Sequence, residues 1–275
     1  MPHRGEFFLR DSGLEAEPAP GATVFMLHGW TASADINFGG MYRVLTQHGY
    51  RVVAIDHRGH GRGLRSLTPF TLLDCAEDAA AVISALGLGQ VIIYGYSMGG
   101  AIAQLIRRDA PELLAGMVLS ATAQHWQEDE LRRAWKALPF VALGLAVAPE
   151  SGWRVALKRA GVSSGPGAAW LHAEMTRHRP RDIAQAGREL SRFDSRPWLE
   201  PLDKPVAMVL TTADEAVAPA KQFELAGSAG AKVFEACVGH LDVGAMAAPE
   251  PTGVYNKTLL RALDWVRLSG DSASL

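Results

Sequence analysis

The chain has 275 residues, of which 48% are hydrophobic and 20% charged; this balance supports a sizeable core and excludes a chain disordered throughout. A formal charge of -2, with both signs scattered along the sequence, provides no field for nucleic acid or an anionic membrane surface, so neither is an expected partner. Cys75 and Cys237 are the two cysteines, too few for a disulfide scaffold, and they are expected to be free thiols.

Met1 to Pro20 lacks the basic start and apolar core of a signal peptide, and no apolar run approaches the roughly 20 residues of a spanning helix, so a cytoplasmic protein beginning near Met1 is expected. Thr23 to Leu27 reads as a buried strand running into His28-Gly29-Trp30. Tyr50 to Ile55 repeats the pattern and enters Asp56-His57-Arg58-Gly59-His60-Gly61. Asp74 to Leu86 is helical by periodicity, with Thr71 and Asp74 as a capping signature. Val91 to Tyr94 is a third strand, followed by a helix carrying Ile102, Leu105 and Ile106. Met117 to Leu119, Val206 to Leu210 and Lys232 to Glu235 are further strands, and Leu259 to Val266 is a helix, with a frayed tail from Ser269. Continuous apolar runs mark strands covered on both faces, and alternation with helices predicts an α/β fold with a doubly wound, mostly parallel sheet.

Between Ala123 and Leu202 the alternation stops. Helical patterns over Glu128 to Leu138, Trp153 to Ala160, Ala168 to Thr176 and Arg181 to Phe193 are separated by Pro139, Pro149, Ser163-Ser164-Gly165-Pro166-Gly167 and Pro180. This predicts a core of residues 1–122 and 203–275 with a helical cap inserted at 123–202. Phe140 to Ala148, bounded by prolines, is expected to be buried or pocket-lining. Phe140, Val141, Leu143 and Leu145, with Trp126, Trp135, Trp153 and Trp170, are candidates for an apolar pocket or for the cap's own packing. Arg132-Arg133 and Arg177 to Arg181 are expected to be solvated helix faces or ends.

The chemistry-bearing segment is Gly95-Tyr96-Ser97-Met98-Gly99. A G-x-S-x-G pentapeptide between a strand and a helix predicts a sharp turn that exposes a nucleophilic serine, with Gly95 and Gly99 required by close backbone approach. The competing role for Ser97 is a helix cap. A serine needs a base and the base needs an orienting carboxylate, in the chain order serine, acid, histidine. His240 follows the last strand and is the candidate base. Asp214, just past Val206 to Leu210, is the candidate acid, ahead of Glu215, Asp203 and Asp242, because parallel strand ends carry functional side chains. His28, His57 and His60 lack metal-ligand spacing, and no phosphate-loop or dinucleotide signature occurs, so no metal or cofactor is expected.

These motifs resemble those of the α/β-hydrolase family. His28-Gly29-Trp30 is similar to its oxyanion loop, Asp56 to Gly61 to its D-x-R-G-H-G segment and Gly95 to Gly100 to its nucleophile elbow. Asp214 with Val217 and Pro219 is similar to its acid loop, and Gly239-His240 to its histidine loop. The resemblance implies catalytic Ser97, Asp214 and His240, an oxyanion hole of the Trp30 and Met98 backbone N–H groups, a bracing role for Asp56 to His60, and a cap that selects substrate. It implies a serine esterase and says little of its substrate; the apolar candidates of the cap suit a small, moderately apolar ester with a medium acyl chain or an aromatic group. The alternatives are a cofactor-free perhydrolase or haloperoxidase, a C–C bond or lactone hydrolase on the same triad, and a non-catalytic binding protein that kept the fold. That last reading would ordinarily leave a broken triad, whereas all three candidates are in place.

Overall fold

A computed structural model describes residues 4–13, 22–162, 165–243 and 249–272. Among these, seven strands form one sheet: β1 (Leu9–Asp11), β2 (Thr23–Leu27), β3 (Arg51–Ile55), β4 (Val91–Tyr96), β5 (Leu114–Ser120), β6 (Val206–Thr211) and β7 (Lys232–Ala236), in the spatial order β1-β3-β2-β4-β5-β6-β7. Every pairing is parallel except that of β1 with β3.

The helices are α1 (Ala34–Gln47), α2 (Leu72–Ala85), α3 (Met98–Asp109), α4 (Asp129–Val147), α5 (Pro149–Arg159), α6 (Pro166–Met175), α7 (Pro180–Arg192), α8 (Pro219–Ala229) and α9 (Pro249–Ser272). Because successive strand residues point to opposite faces, the sheet divides the core into two layers. Phe25, Leu27, Val53, Ile55 and Ile93 pack on one face against residues of α2, α3 and α8. Val24, Met26, Val52, Ala54 and Tyr94 pack on the other against α1 and α9. Burial on both faces explains why the inner strands read as unbroken apolar runs.

Four helices, α4 to α7, lie between β5 and β6 and contain no strand. Their chain leaves the sheet at the carboxyl end of β5, the edge where β2, β4 and β6 also end. The Thr71 cap is present: its Oγ1 accepts from Asp74 N–H at 2.9 Å.

Several expectations change. Pro139 does not end a helix, and α4 runs through it for 19 residues. Phe140 to Ala148 is therefore not a separate buried segment: Phe140, Val141, Leu143 and Val147 are exposed, and Leu145 is buried. The tail from Ser269 does not fray at once, since α9 continues to Ser272. Arg177 to Arg181 lies at helix ends as expected, between α6 and α7 with Arg177 and Arg181 exposed, but it is also anchored to the core. His178 is 4% exposed, and Arg179 N–H donates to Gly59 O at 2.9 Å. The side chains of Arg132 and Arg133, the pair Ser163-Ser164 and the Pro/Ala stretch before Ala22 lie outside what is described. β1, α1 and α8 are additions to the elements read from the sequence. Cys75 is buried and Cys237 exposed, both as free thiols.

Candidate active site

Ser97 stands between β4 and α3 with φ 52° and ψ -117°, a left-handed setting that costs a non-glycine residue about 1–3 kcal/mol and persists where surroundings enforce it. The enforcement is visible. Ser97 N–H donates to Ser120 O at 3.0 Å, and Thr122 Oγ1 donates to Ser97 O at 2.8 Å. A Cβ on Gly95 would stand 2.6 Å from Gly99 O, and one on Gly99 would strike Leu27 O. Gly100 is equally constrained, by the side chain of Thr122. The Ser97 hydroxyl makes no capping bond to α3, so the cap reading fails and the group is left for other work.

Asp214 is fixed by four hydrogen bonds. Its Oδ1 accepts from the N–H groups of Ala216 (2.9 Å) and Val217 (2.8 Å), and its Oδ2 accepts from Thr211 Oγ1 (2.8 Å) and lies 2.8 Å from His240 Nδ1. Its side chain is fully buried, while that of His240 is 18% exposed. With Nδ1–H held by the carboxylate, the imidazole presents Nε2 as the free acceptor. Glu215 and Asp203 are exposed, and Asp242 instead accepts from Gly239 N–H at 2.9 Å, shaping the loop that carries His240.

Tyr96 joins the two halves of the site. Its hydroxyl donates to His240 O at 2.6 Å, and its ring lies 5.2 Å from the imidazole. Burial, reinforced by the nearby Asp214 charge, raises the Tyr96 pKa well above its usual value, so the phenol stays a donor. On its other side, a Cβ on Gly29 would lie 3.0 Å from the Tyr96 ring and 3.2 Å from Ser97 Cβ. The His28-Gly29-Trp30 loop is thereby pressed against the nucleophile turn. Gly29 N–H is committed to Asn37 Oδ1 at 2.8 Å, which makes Trp30 N–H the next donor in the loop. Met98 opens α3, where backbone N–H groups lack intrahelical acceptors and the helix dipole favours negative charge.

The Trp30 side chain has a packing role. Its Nε1 donates to Ile183 O of α7 at 2.9 Å, and its ring lies 5.5 Å from that of Trp135 on α4. Of the residues named for an apolar pocket, Val141, Leu145 and Trp153 line a cavity of about 270 Å³ that has Trp30 in its wall. Trp126 and Trp135 line a larger groove of about 500 Å³ between α4 and α7. Phe140 and Leu143 line neither, and Trp170 is 37% exposed. Neither cavity is lined by Ser97, Asp214 or His240, so the hydrogen-bond geometry, not cavity size, locates the site.

The Asp56 to His60 segment braces the neighbourhood. Asp56 accepts from Ala34 N–H and Arg62 N–H, both at 2.8 Å, and Arg58 forms a two-pronged pair with Asp78. His28, His57, His60 and His178 form a buried cluster. The His28 and His57 ring centroids are 4.2 Å apart, and those of His60 and His178 5.6 Å. Burial lowers the pKa of His28 to about 4 and of His60 to about 3, and lowers those of His57 and His178. His28 Nε2 accepts from His57 N–H at 2.9 Å, and His178 Nδ1 accepts from Gly61 N–H at 2.9 Å. Neutral rings thus hold the α6–α7 corner to the core. Among the described residues, no cluster of His, Cys, Asp and Glu has the arrangement to hold a metal.

Comparison with known proteins bears on the fold. Residues 22–142 match the family described as alpha/beta hydrolase fold. An esterase from Exiguobacterium antarcticum superposes with a TM-score of 0.76 and 20% identity, covering 94% of this chain and 95% of that one. The chain has the α/β-hydrolase fold. Within this α/β-hydrolase fold, curated relatives match a shorter stretch. A non-heme haloperoxidase of Rhodococcus erythropolis is 36% identical over 115 residues, 42% of this chain and 39% of its own length. A bifunctional esterase/perhydrolase of Acinetobacter calcoaceticus is 32% identical over 115 residues, 42% of this chain and 40% of its own length. The alignments thus span about two fifths of these relatives. Among the described residues, no helix is long and apolar enough to cross a membrane.

The sequence pointed to Ser97, Asp214, His240, Trp30 and Met98, and the fold brings all five to one edge of the sheet. It did not point to Tyr96, whose bond to His240 O spans 144 residues. Thr211, Gln222 and Thr122 were missed as well. Gln222 Nε2 donates to Thr211 Oγ1 and Val217 O, both at 2.8 Å, and so supports the acid loop.

Proposed function

We propose that the chain is a serine hydrolase that cleaves a carboxylic ester with a medium acyl chain or an aromatic group, through an acyl-enzyme on Ser97. The observation that carries this reading is the 2.8 Å bond between His240 Nδ1 and a fully buried Asp214, at the same edge of the sheet as a serine in a strained turn. Residues 1–122 and 203–275 form the catalytic core and 123–202 the substrate-selecting cap. The apolar side chains that α4, α5 and α7 present beside Trp30 favour an apolar ester.

In this mechanism His240 Nε2 takes the Ser97 proton as Oγ attacks the ester carbonyl, and Asp214 stabilises the imidazolium that forms. The backbone N–H groups of Trp30 and Met98 bind the tetrahedral oxyanion, and donors of this kind contribute about 3–4 kcal/mol each. His240 then protonates the leaving alkoxide. Water, deprotonated by the same imidazole, attacks the acyl-serine, and collapse releases the acid and restores Ser97.

A second reading follows from the likeness to a haloperoxidase and an esterase/perhydrolase: hydrogen peroxide replaces water in the second step, giving a peracid and free Ser97. Turnover of a p-nitrophenyl ester tests the first reading. Ser97→Ala is expected to abolish it with the circular dichroism spectrum unchanged, and retained turnover would sink the assignment. Peracid yield from one acetate ester, with and without peroxide, separates the two reactions.

A further inference from the structure

The second half of α4 is apolar on the side that faces solvent as well as on the side that packs. From Ala137 to Pro149 the chain has no polar side chain. Leu138 and Leu145 of that stretch are buried, but Phe140, Leu143 and Val147, at spacings of three and four, fall on one outer side of the helix and are 76%, 64% and 79% exposed. None of these three lines either cavity. Lys136, one turn before Phe140, continues the same row and is exposed. Val141 and, on α5, Val155 widen the patch and are half exposed. Together the five apolar side chains present roughly 500 Å² of surface, in the upper range for the largest patch of a monomer and of the size that marks a protein partner or a membrane surface.

Charge decides between those two. From Lys136 to Arg159 the chain carries four cations, Lys136, Arg154, Lys158 and Arg159, against one acid, Glu150, and all four cations are exposed. Residues 123–202 hold twelve Lys and Arg against nine Asp and Glu, whereas the rest of the chain holds fifteen against twenty. The formal charge of -2 thus averages over a basic insertion and an acidic remainder, and the expectation that no field favours an anionic surface does not hold for the insertion taken alone. A second copy seated on the patch by two-fold symmetry would set one cationic row against another. The patch also falls short of the roughly 800 Å² that each partner buries in a stable dimer. A lipid surface with anionic headgroups satisfies both features at once, because apolar side chains enter the acyl boundary while Lys and Arg stay among the phosphates. We infer that the α4–α5 face docks on an anionic lipid surface, with Phe140, Leu143 and Val147 inserted and Lys136 and the α5 cations at the headgroups. Docking needs no chemistry at Ser97 and stands apart from the proposed reaction.

The test is co-sedimentation of the full chain with vesicles of phosphatidylcholine alone and of phosphatidylcholine with about one third phosphatidylglycerol. Binding is expected to the anionic vesicles and not to the neutral ones, and to weaken about tenfold or more as salt rises from about 0.1 to 0.5 M. Phe140→Ser combined with Leu143→Ser is expected to weaken it about tenfold or more, through loss of the inserted apolar area. Lys136→Gln combined with Arg159→Gln is expected to weaken it about twentyfold, at roughly fivefold for each cation near the surface. Phe223→Ser, at a half-exposed aromatic of α8, is expected to change nothing, and all variants to keep the circular dichroism spectrum. No binding to anionic vesicles, equal binding to both kinds, or binding that survives the Phe140 and Leu143 substitutions overturns the proposal. So does a lipid-free dimer in sedimentation velocity that those two substitutions convert to monomer, because the patch is then the seat of a second copy.

Discussion

Tyr96 occupies the variable position before Ser97, the proposed nucleophile, yet its hydroxyl holds the main chain of His240, the proposed base. Tyr96→Phe keeps the ring beside the imidazole and deletes the tether, leaving His240 free to sample unproductive settings. The expected result is a fall in kcat of about fivefold with KM little changed, in line with a net hydrogen bond of ~1 kcal/mol; kinetics on a p-nitrophenyl ester check it. Asp214→Asn should be far more damaging. It replaces the acceptor at His240 Nδ1 by a group that favours the wrong tautomer, and a loss of about 10⁴ in kcat is expected from the same assay. Thr211 and Gln222 illustrate why such supporting residues escape a sequence reading. Neither belongs to a motif; Thr211 acts through a local bond to Asp214, and Gln222 through a contact that exists only after β6 and α8 have packed.

Among the elements, legibility tracked burial. β2, β4 and β6 are buried along their whole length and declare themselves as apolar runs. β1 is three residues long, partly exposed, and paired on one side with β3, so its sequence carries almost no signal. α1 contains Gly39-Gly40, which weakens its helical pattern, and its start depends on Ser33 Oγ accepting from Ile36 N–H. Pro139 misled for a different reason, whereas Pro149 and Pro180 do open new helices. Pro139 lacks only the N–H that would have bonded the Trp135 carbonyl, and α4 continues because its neighbours pack on α7. The Trp30–Ile183 bond links α7 to the loop beside the Ser97 turn. Trp30→Phe removes this bond and preserves most of the ring volume. The expected effect is a rise in KM of about three- to tenfold for long-chain esters, with much less effect on acetate esters, as measured by kinetics across acyl lengths.

For the molecule as a whole, the cluster of His28, His57, His60 and His178 makes stability depend on pH. Each ring has a folded pKa lowered by burial from an unfolded value near 6.5, so the unfolded chain binds more protons below that pH. Their contribution is fully present above pH 6.5. It is lost as pH falls toward the folded values of about 4 for His28 and about 3 for His60, at a slope of up to ~1.4 kcal/mol per pH unit for each ring. Urea midpoints measured from pH 7.5 to 4.5 are expected to be flat at first and then to decline, and a midpoint that rises on acidification contradicts the buried-neutral assignment. In the proposed division, the cap selects what reaches the sheet edge and the edge supplies the reacting groups. The most direct measurement of that division is the mass of the intact chain and of its peptides after exposure to a fluorophosphonate ester. The account predicts one phosphonyl group per chain, on the peptide containing Ser97, and none on Ser97→Ala. An unlabelled wild-type chain, or label retained in Ser97→Ala, would contradict it.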